Sequence, residues 1–268
     1  MKALFRLLIL GIYLFLMAPL IFVIISSVGS AALLAFPPRE LTLRWYRQIS
    51  PELLNSLWVS LEAATATTVI CTILGVWIAL AIARGRGPAP RLLRAVSAAP
   101  LSVPHLAIGI ALYQAAQLSW DFSGLEIVGT FWGLMFGHCV IAMPFVVRGT
   151  LVGHAHVEAQ IEEAAVSLGA SPWRALFEVA LPAIRPGLVS GAFLAFLASF
   201  DDVPVALFMG GGEHSTTFPL QVLESLEYSL KPDIMAISTL VILASVALVL
   251  ALEHVFGLEH FLRGHPPG

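Results

Sequence analysis

The sequence predicts an all-α integral membrane protein that crosses the bilayer six times, and three observations carry that expectation. Of its 268 residues, 58% are hydrophobic and 12% charged, against about 25% charged in an ordinary soluble domain. Several uncharged stretches reach the ~20 residues an α-helix needs to cross ~30 Å of hydrocarbon. The cations divide unequally between alternate loops, as the positive-inside rule asks of a chain that crosses repeatedly. Fourteen Lys and Arg with 17 Asp and Glu are too few to clothe a soluble globule of this length, which excludes cytosolic and secreted domains. A net charge of −3 without a Lys/Arg run excludes nucleic acid as a partner. Cys71 and Cys139 each lie inside an apolar run, so neither a disulfide framework nor a CxxC zinc site is expected.

The first span is expected at 7–28. Lys2 and Arg6 ahead of it imitate a signal peptide, but its 22 uncharged residues exceed the roughly 7–15 of a signal core, so it is retained. Arg39, Arg44 and Arg47 follow, with Trp45, Tyr46 and Ile49 forming an amphipathic stretch along the membrane surface. The second span is expected at 61–83 and the third at 98–118, where Pro100 and Pro104 kink the first turns. The fourth lies at 127–148, the fifth at 187–208 and the sixth at 234–256, all within a single domain, 1–268. With the N-terminus inside, ten of the fourteen cations fall on cytoplasmic segments, leaving Arg39, Arg44, Arg47 and Lys231 outside. Both termini are then cytoplasmic. Gly133 and Gly137, Gly149 and Gly153, and Gly187 and Gly191 sit at the GxxxG spacing of closely packed helices.

Between spans four and five lies a cytoplasmic segment, 158–186, that belongs to neither. Ile161, Ala164, Ala165 and Leu168 share one helical face. Gly169 then stands where a helix C-cap is needed, and Ser171 with Pro172 supplies an N-cap and first-turn proline for a second helix. On that helix Trp173, Leu176, Phe177, Ala180 and Leu181 again make one face, until Pro182 is expected to stop it. Two readings fit this hairpin: a cover over the bundle's inner mouth, or a docking element whose small corner residues admit another protein's groove.

The fifth span carries Asp201 and Asp202, and a buried carboxylate costs about 2.5–3.5 kcal/mol at the bilayer centre. Two readings fit here as well. Asp202 caps a helix restarted by Pro204, with Asp201 facing water. Alternatively one or both carboxylates, with Ser199 beside them, line a path and pair with a cationic amine, Asp201 being the main candidate.

The string EEAAVSLGASPWRALFEVALP resembles the EAA loop of ABC importer permeases: E-A-A, three residues, G, nine residues, I, one residue, L-P. Glu163, Ala164, Ala165, Gly169, Leu181 and Pro182 match in place, and Val179 stands for the Ile. SFDDVPVALFMGGG, TTFPLQV and KPDIMAISTLVIL resemble the second permease of spermidine/putrescine-type importers. The resemblance implies the type I importer fold and a place in the bacterial inner membrane. It also implies a second permease as heterodimer partner, an ATPase dimer that binds ATP and Mg, and an extracytoplasmic binding protein. In such an assembly Glu163, Ala164, Ala165, Gly169, Ala170, Ser171 and Trp173 couple to the ATPase, and the cargo is a polyamine or related amine. The chain itself is not expected to be an enzyme or to hold a cofactor, since it has no GxxxxGK[ST] phosphate loop.

Other chemistries have weaker support. His154, His156 and Glu158 are spaced so that the middle residue leaves the helical face of the other two, and His254 and His260 are scattered, so no metal site is expected. Neither HExxH nor GxSxG occurs. His105 and His138 fall within spans, where a hydrogen-bonded structural role is expected. An amino-acid-like cargo is an alternative within the same class. An ion-coupled secondary transporter is the alternative from another, although it asks for two related halves with ionisable groups on broken helices.

Overall fold

Long apolar runs can satisfy their backbone in lipid only as helices or closed barrels, and here they are helices. The computed structural model describes residues 2–30, 37–38, 40–155, 159–212, 214–228 and 232–256. Arg39, His156, Glu158, Lys231, His260 and Arg263, on which parts of the charge and ligand arguments rest, lie outside these residues. The helices are α1 (Lys2–Ser27), α2 (Arg44–Arg47), α3 (Pro51–Arg84), α4 (Pro88–Ala98), α5 (His105–Ser123) and α6 (Phe131–Ala155). They continue with α7 (Ala159–Ser167), α8 (Pro172–Ala175), α9 (Leu181–Phe200), α10 (Pro204–Met209), α11 (Phe218–Tyr228) and α12 (Pro232–Phe256). A 3-10 turn, Ala99–Ser102, follows α4, and a π turn, Leu176–Ala180, joins α8 to α9. Among the described residues five helical runs are long and apolar enough to cross a membrane, or six if the pair Pro88–Ser102 and His105–Ser123, bent by 111°, counts as one span.

The helices do not coincide with the uncharged windows that announce them. Pro51 opens α3 at a position where its missing N–H costs nothing, so this helix begins ten residues before the expected span 61–83. Gly129 at φ +74° and a Thr130 hydroxyl that accepts the Gly133 N–H at 3.1 Å delay α6 until Phe131 rather than 127. The segment expected as a span at 187–208 is broken, as the reading in which Asp202 caps a helix restarted by Pro204 requires. The ring of Pro204 cannot coexist with the helical carbonyl of Phe200, four residues earlier, and α9 ends there. Pro182, conversely, does not stop its helix. The N–H of Leu181 reaches back five residues to the Leu176 carbonyl, and this wider π turn makes room for the proline ring. Helix therefore runs from Pro172 to Phe200, 29 residues.

The chain forms two units, one drawn from the first 55 residues together with those from Gln221, the other centred on Ser56–Leu220. In the first, α2 is tied to the end of α1. Trp45 Nε1 donates to the Gly29 carbonyl at 2.7 Å, Arg44 Nη2 to that of Ser30 at 2.7 Å, and the Tyr46 and Ser27 hydroxyls bond at 2.7 Å. Along α1 the large apolar side chains are exposed, Phe15 to 77%, as a lipid-facing helix requires.

In the second unit α6 and α9 pack backbone to backbone. A Cβ on Gly149 would stand 2.7 Å from Gly191 Cα, and one on Gly187 would stand 2.8 Å from Gly153 Cα. The two GxxxG pairs at 149/153 and 187/191 thus face each other, which is how helices approach without a solvent-driven hydrophobic force. Gly133 and Gly137 meet other neighbours, the Ile127 carbonyl and Val205 Cγ1. Cys71, Ala142, Val146 and Ala195 fill the layer beside this contact, with Cys71 Sγ donating to the Cys139 carbonyl at 3.6 Å.

Candidate functional site

Two constellations in the second unit lie at opposite ends of the run from Pro172 to Phe200. At the first, α7 ends in a Schellman motif: the Ala170 N–H bonds the Ala165 carbonyl at 3.0 Å and the Gly169 N–H bonds that of Val166 at 2.9 Å. Gly169 has φ +95°, the left-handed conformation that disfavours any side chain. Ser171 then caps the next helix, its hydroxyl accepting the Arg174 N–H at 3.3 Å, with Pro172 in the first turn. Glu163, Ala164, Ala165, Gly169, Ala170, Ser171 and Trp173 are therefore gathered within two short helices and one turn.

The faces of this hairpin differ. Leu176 and Ala180 are buried against Val76 and Leu80 of α3, and Trp173 meets Trp77 edge-on at 6.3 Å. Arg84, at the end of α3, pairs with Glu162 of α7 at 2.8 Å. Outside these contacts the hairpin is open and apolar: Leu168 is 90% exposed, Trp173 64%, Phe177 54% and Ile161 46%. Glu163 is exposed beside them, its carbonyl accepting the Ser167 hydroxyl at 2.8 Å. The hairpin is thus fixed to the bundle on one side and offers apolar surface, with no cover among the described residues, on the other.

The second constellation sits where α9 breaks. Asp201 closes α9, its N–H bonded to the Leu197 carbonyl at 3.0 Å, and its side chain is exposed. Asp202 is buried. Its Oδ2 accepts the N–H groups of Val205 and Ala206 at 2.8 and 3.1 Å, so it caps α10. Its other oxygen lies 3.3 Å from His105 Nδ1, at the start of α5. His138 Nε2 stands 3.8 Å from Oδ2, beyond hydrogen-bond reach, while His138 Nδ1 bonds the Ser199 hydroxyl at 2.8 Å. Ser199, Asp202, His105 and His138 therefore form one polar cluster, in whose bonds exposed Asp201 takes no part.

His105 and His138, each expected within a span in a hydrogen-bonded role, are both hydrogen-bonded here. What brings His105 to Asp202, 97 positions later, is the meeting of two helix interruptions, at Pro104 and Pro204. The adjacent prolines were the available signal. For the Arg84–Glu162 pair, 78 residues apart, sequence offered none.

The architecture defines a class first. The chain superposes on a solved bacterial ABC transporter involved in import of the acidic polysaccharide alginate, with a TM-score of 0.69 over 95% of this chain and 96% of that one, at 16% identity. It also superposes on an amino acid ABC transporter solved with histidines, at TM-score 0.57 over 80% and 97%, and 18% identity. These likenesses establish the fold, the six-helix type I importer permease. The chain belongs to the family described as binding-protein-dependent transport system inner membrane component, whose profile matches residues 71–257.

Relatives within that class differ in cargo. The putrescine transport system permease protein PotI of Escherichia coli (strain K12) is 31% identical over 243 residues, 88% of this chain and 84% of that protein. The spermidine/putrescine transport system permease protein PotC of the same organism is 27% identical over 243 residues, 90% and 89% of the two chains. The molybdenum transport system permease protein ModB of Mycobacterium tuberculosis (strain ATCC 25618 / H37Rv) is 32% identical over 212 residues, 76% and 80%. The chain is a membrane permease component of an ABC importer and not an enzyme.

Proposed function

We propose that this subunit passes a small cationic amine, of the polyamine class, from an external binding protein to the cytoplasm by alternating access. A separate ATPase dimer, which binds ATP and Mg, grips the corner Gly169–Trp173, and a second, different permease chain completes the pathway. The observation that carries this reading is the corner itself, hydrogen-bonded on its own account, apolar on its open rim and continuous with the 29-residue run that ends at Phe200, just before Asp201. Closure of the ATPases would move that run as a lever about 43 Å long, and a rigid-body swing would open the pathway to one side or the other. Both termini and the corner are cytoplasmic in this reading, supported by the ten-to-four division of cations.

Cargo chemistry follows from the broken span. Among the described residues no cation pairs with Asp201, so its carboxylate is available to an ammonium group, while Asp202 and Ser199 hold the wall behind it. Likeness to PotI and PotC supports the amine. Likeness to ModB raises a second reading, an oxyanion cargo, which two successive carboxylates oppose by repulsion. The test is uptake of labelled putrescine by the reconstituted transporter with its binding protein. Asp201→Asn is expected to lower uptake efficiency by roughly ten- to a hundredfold, the worth of a hydrogen bond to a charged group, while stimulated ATP hydrolysis persists. Wild-type uptake over a full concentration range would remove Asp201 from the path, and molybdate uptake in its place would favour the second reading.

A further inference from the structure

The helix before the third span is unlike the spans. α4 bears Arg91, Arg94, Ala95 and Ala98 along one side and Leu92, Leu93 and Val96 along the other, where Leu92 and Val96 are 66% and 62% exposed. With its 3-10 extension it is bent by 111° from α5. If α5 crosses the membrane, α4 therefore lies close to the membrane plane, with its apolar side available to acyl chains. The arginine side faces α6 across a cavity of about 770 Å³. Its lining includes Arg91 and Arg94 from α4, Arg148 and His154 from α6, and apolar wall from Val147 and Leu151. All three arginines are exposed, and among the described residues none has a carboxylate partner. His154 Nδ1 is buried there without a hydrogen-bond partner.

We propose that the groove between α4 and α6 is a binding site for the phosphate headgroup of an anionic phospholipid. Three arginines without carboxylate partners among the described residues line one space, and guanidinium matches phosphate in charge and in fork geometry. Arg148 lies seven residues before the end of α6, about 10 Å along the helix, a depth that suits a headgroup. Exposed Val152 beside the groove and the apolar side of α4 provide acyl-chain contact that free phosphate would not use. Basic pockets between helices on the cytoplasmic side suit anionic headgroups in general. The choice of the inner leaflet rests on the orientation proposed above; the headgroup chemistry does not.

The experiment is native mass spectrometry of the assembled transporter in detergent, titrated with phosphatidylglycerol or phosphatidylcholine, and separately with phosphatidylglycerol in the presence of millimolar inorganic phosphate. The first bound lipid is expected to be phosphatidylglycerol in preference to phosphatidylcholine, undisturbed by phosphate. Each cation near the surface strengthens anionic-lipid attraction about fivefold, so a triple variant carrying R91Q, R94Q and R148Q should weaken retention by at least about tenfold. The corresponding variant R91K, R94K and R148K keeps the charge but loses the fork, so it should retain the lipid less well than wild type and better than the glutamine variant, which guards against a folding defect. Equal retention of the two lipids, or wild-type retention by the glutamine variant, overturns the proposal. Displacement by inorganic phosphate assigns the groove to a soluble anion instead. Loss of the ATPase from the glutamine variant with lipid retention unchanged assigns it to a protein contact. No transport is measured, so failure here leaves the cargo reading untouched.

Discussion

Replacing Gly187 by valine asks whether the α6–α9 contact is as close as its glycines imply. A Cβ at position 187 would lie 2.8 Å from both Cα and N of Gly153 and would press on the Gly149 carbonyl. All of these are backbone atoms, so no side chain can rotate away. Ordinary contact begins at 3.4 Å, and the helices must therefore part by at least about 0.6 Å, more once the γ-methyl groups are accommodated; overpacking of this kind costs about 1–3 kcal/mol. Valine should sit at the upper end, about 3 kcal/mol, while alanine should cost less because it regains about 0.5–1 kcal/mol of helix preference over glycine. The control is Gly11→Val on α1, where nothing lies within 4 Å of the added carbon, and where the change should fall within about 0.5 kcal/mol of wild type. Denaturation of the purified transporter by titration with dodecyl sulfate, followed by tryptophan fluorescence, reads the difference. If Gly187→Val and Gly11→Val unfold alike, the two GxxxG pairs do not form the contact described.

The remaining predictions concern the break and the hairpin. Asp202→Ala removes the acceptor for two backbone N–H groups and should destabilise the same preparation by about 1–2 kcal/mol, whereas Asp202→Asn, whose amide oxygen can still cap, should cost less than half as much; equal losses would mean that the charge and not the cap matters. Arg84→Gln and Glu162→Gln break an ion pair whose side chains are 40% and 27% exposed, so a double-mutant cycle should give a coupling of at most about 1 kcal/mol. A larger coupling would make this pair a principal attachment of α7 to α3.

Much of the fold was legible because membrane physics is strict. A run of uncharged residues long enough to span has few alternatives to helix, and the cap signals at Gly169, Ser171 and Pro172 describe local geometry that the structure reproduces in its hydrogen bonds. Uncharged windows report where hydrocarbon is tolerated, however, not where helices begin. That is why α3 extends back to Pro51 and α6 starts late. Prolines were harder to read: Pro204 breaks a helix and Pro182 does not, and the difference lies in a π turn that no residue pattern announces. At the broken span, adjacent Asp201 and Asp202 separate into an exposed carboxylate and a buried cap. The partners that bury Asp202 come from α5 and α6, far away in sequence, so the cluster with His105 and His138 was not visible in advance.

The central claim is that the chain receives its drive at the corner between α7 and α8, and Gly169→Leu tests it most directly. Nothing lies within 4 Å of a Cβ added at Gly169, so the bundle should fold, at a cost of about 1–2 kcal/mol for a left-handed non-glycine residue. The leucine would occupy the space where a partner's groove must approach the turn. In proteoliposomes containing the full transporter and loaded binding protein, substrate uptake and stimulation of ATP hydrolysis should both fall to background, while the denaturation midpoint of the permease shifts only slightly. Stimulated uptake at the wild-type level would contradict the assignment of the corner and with it the lever along α9.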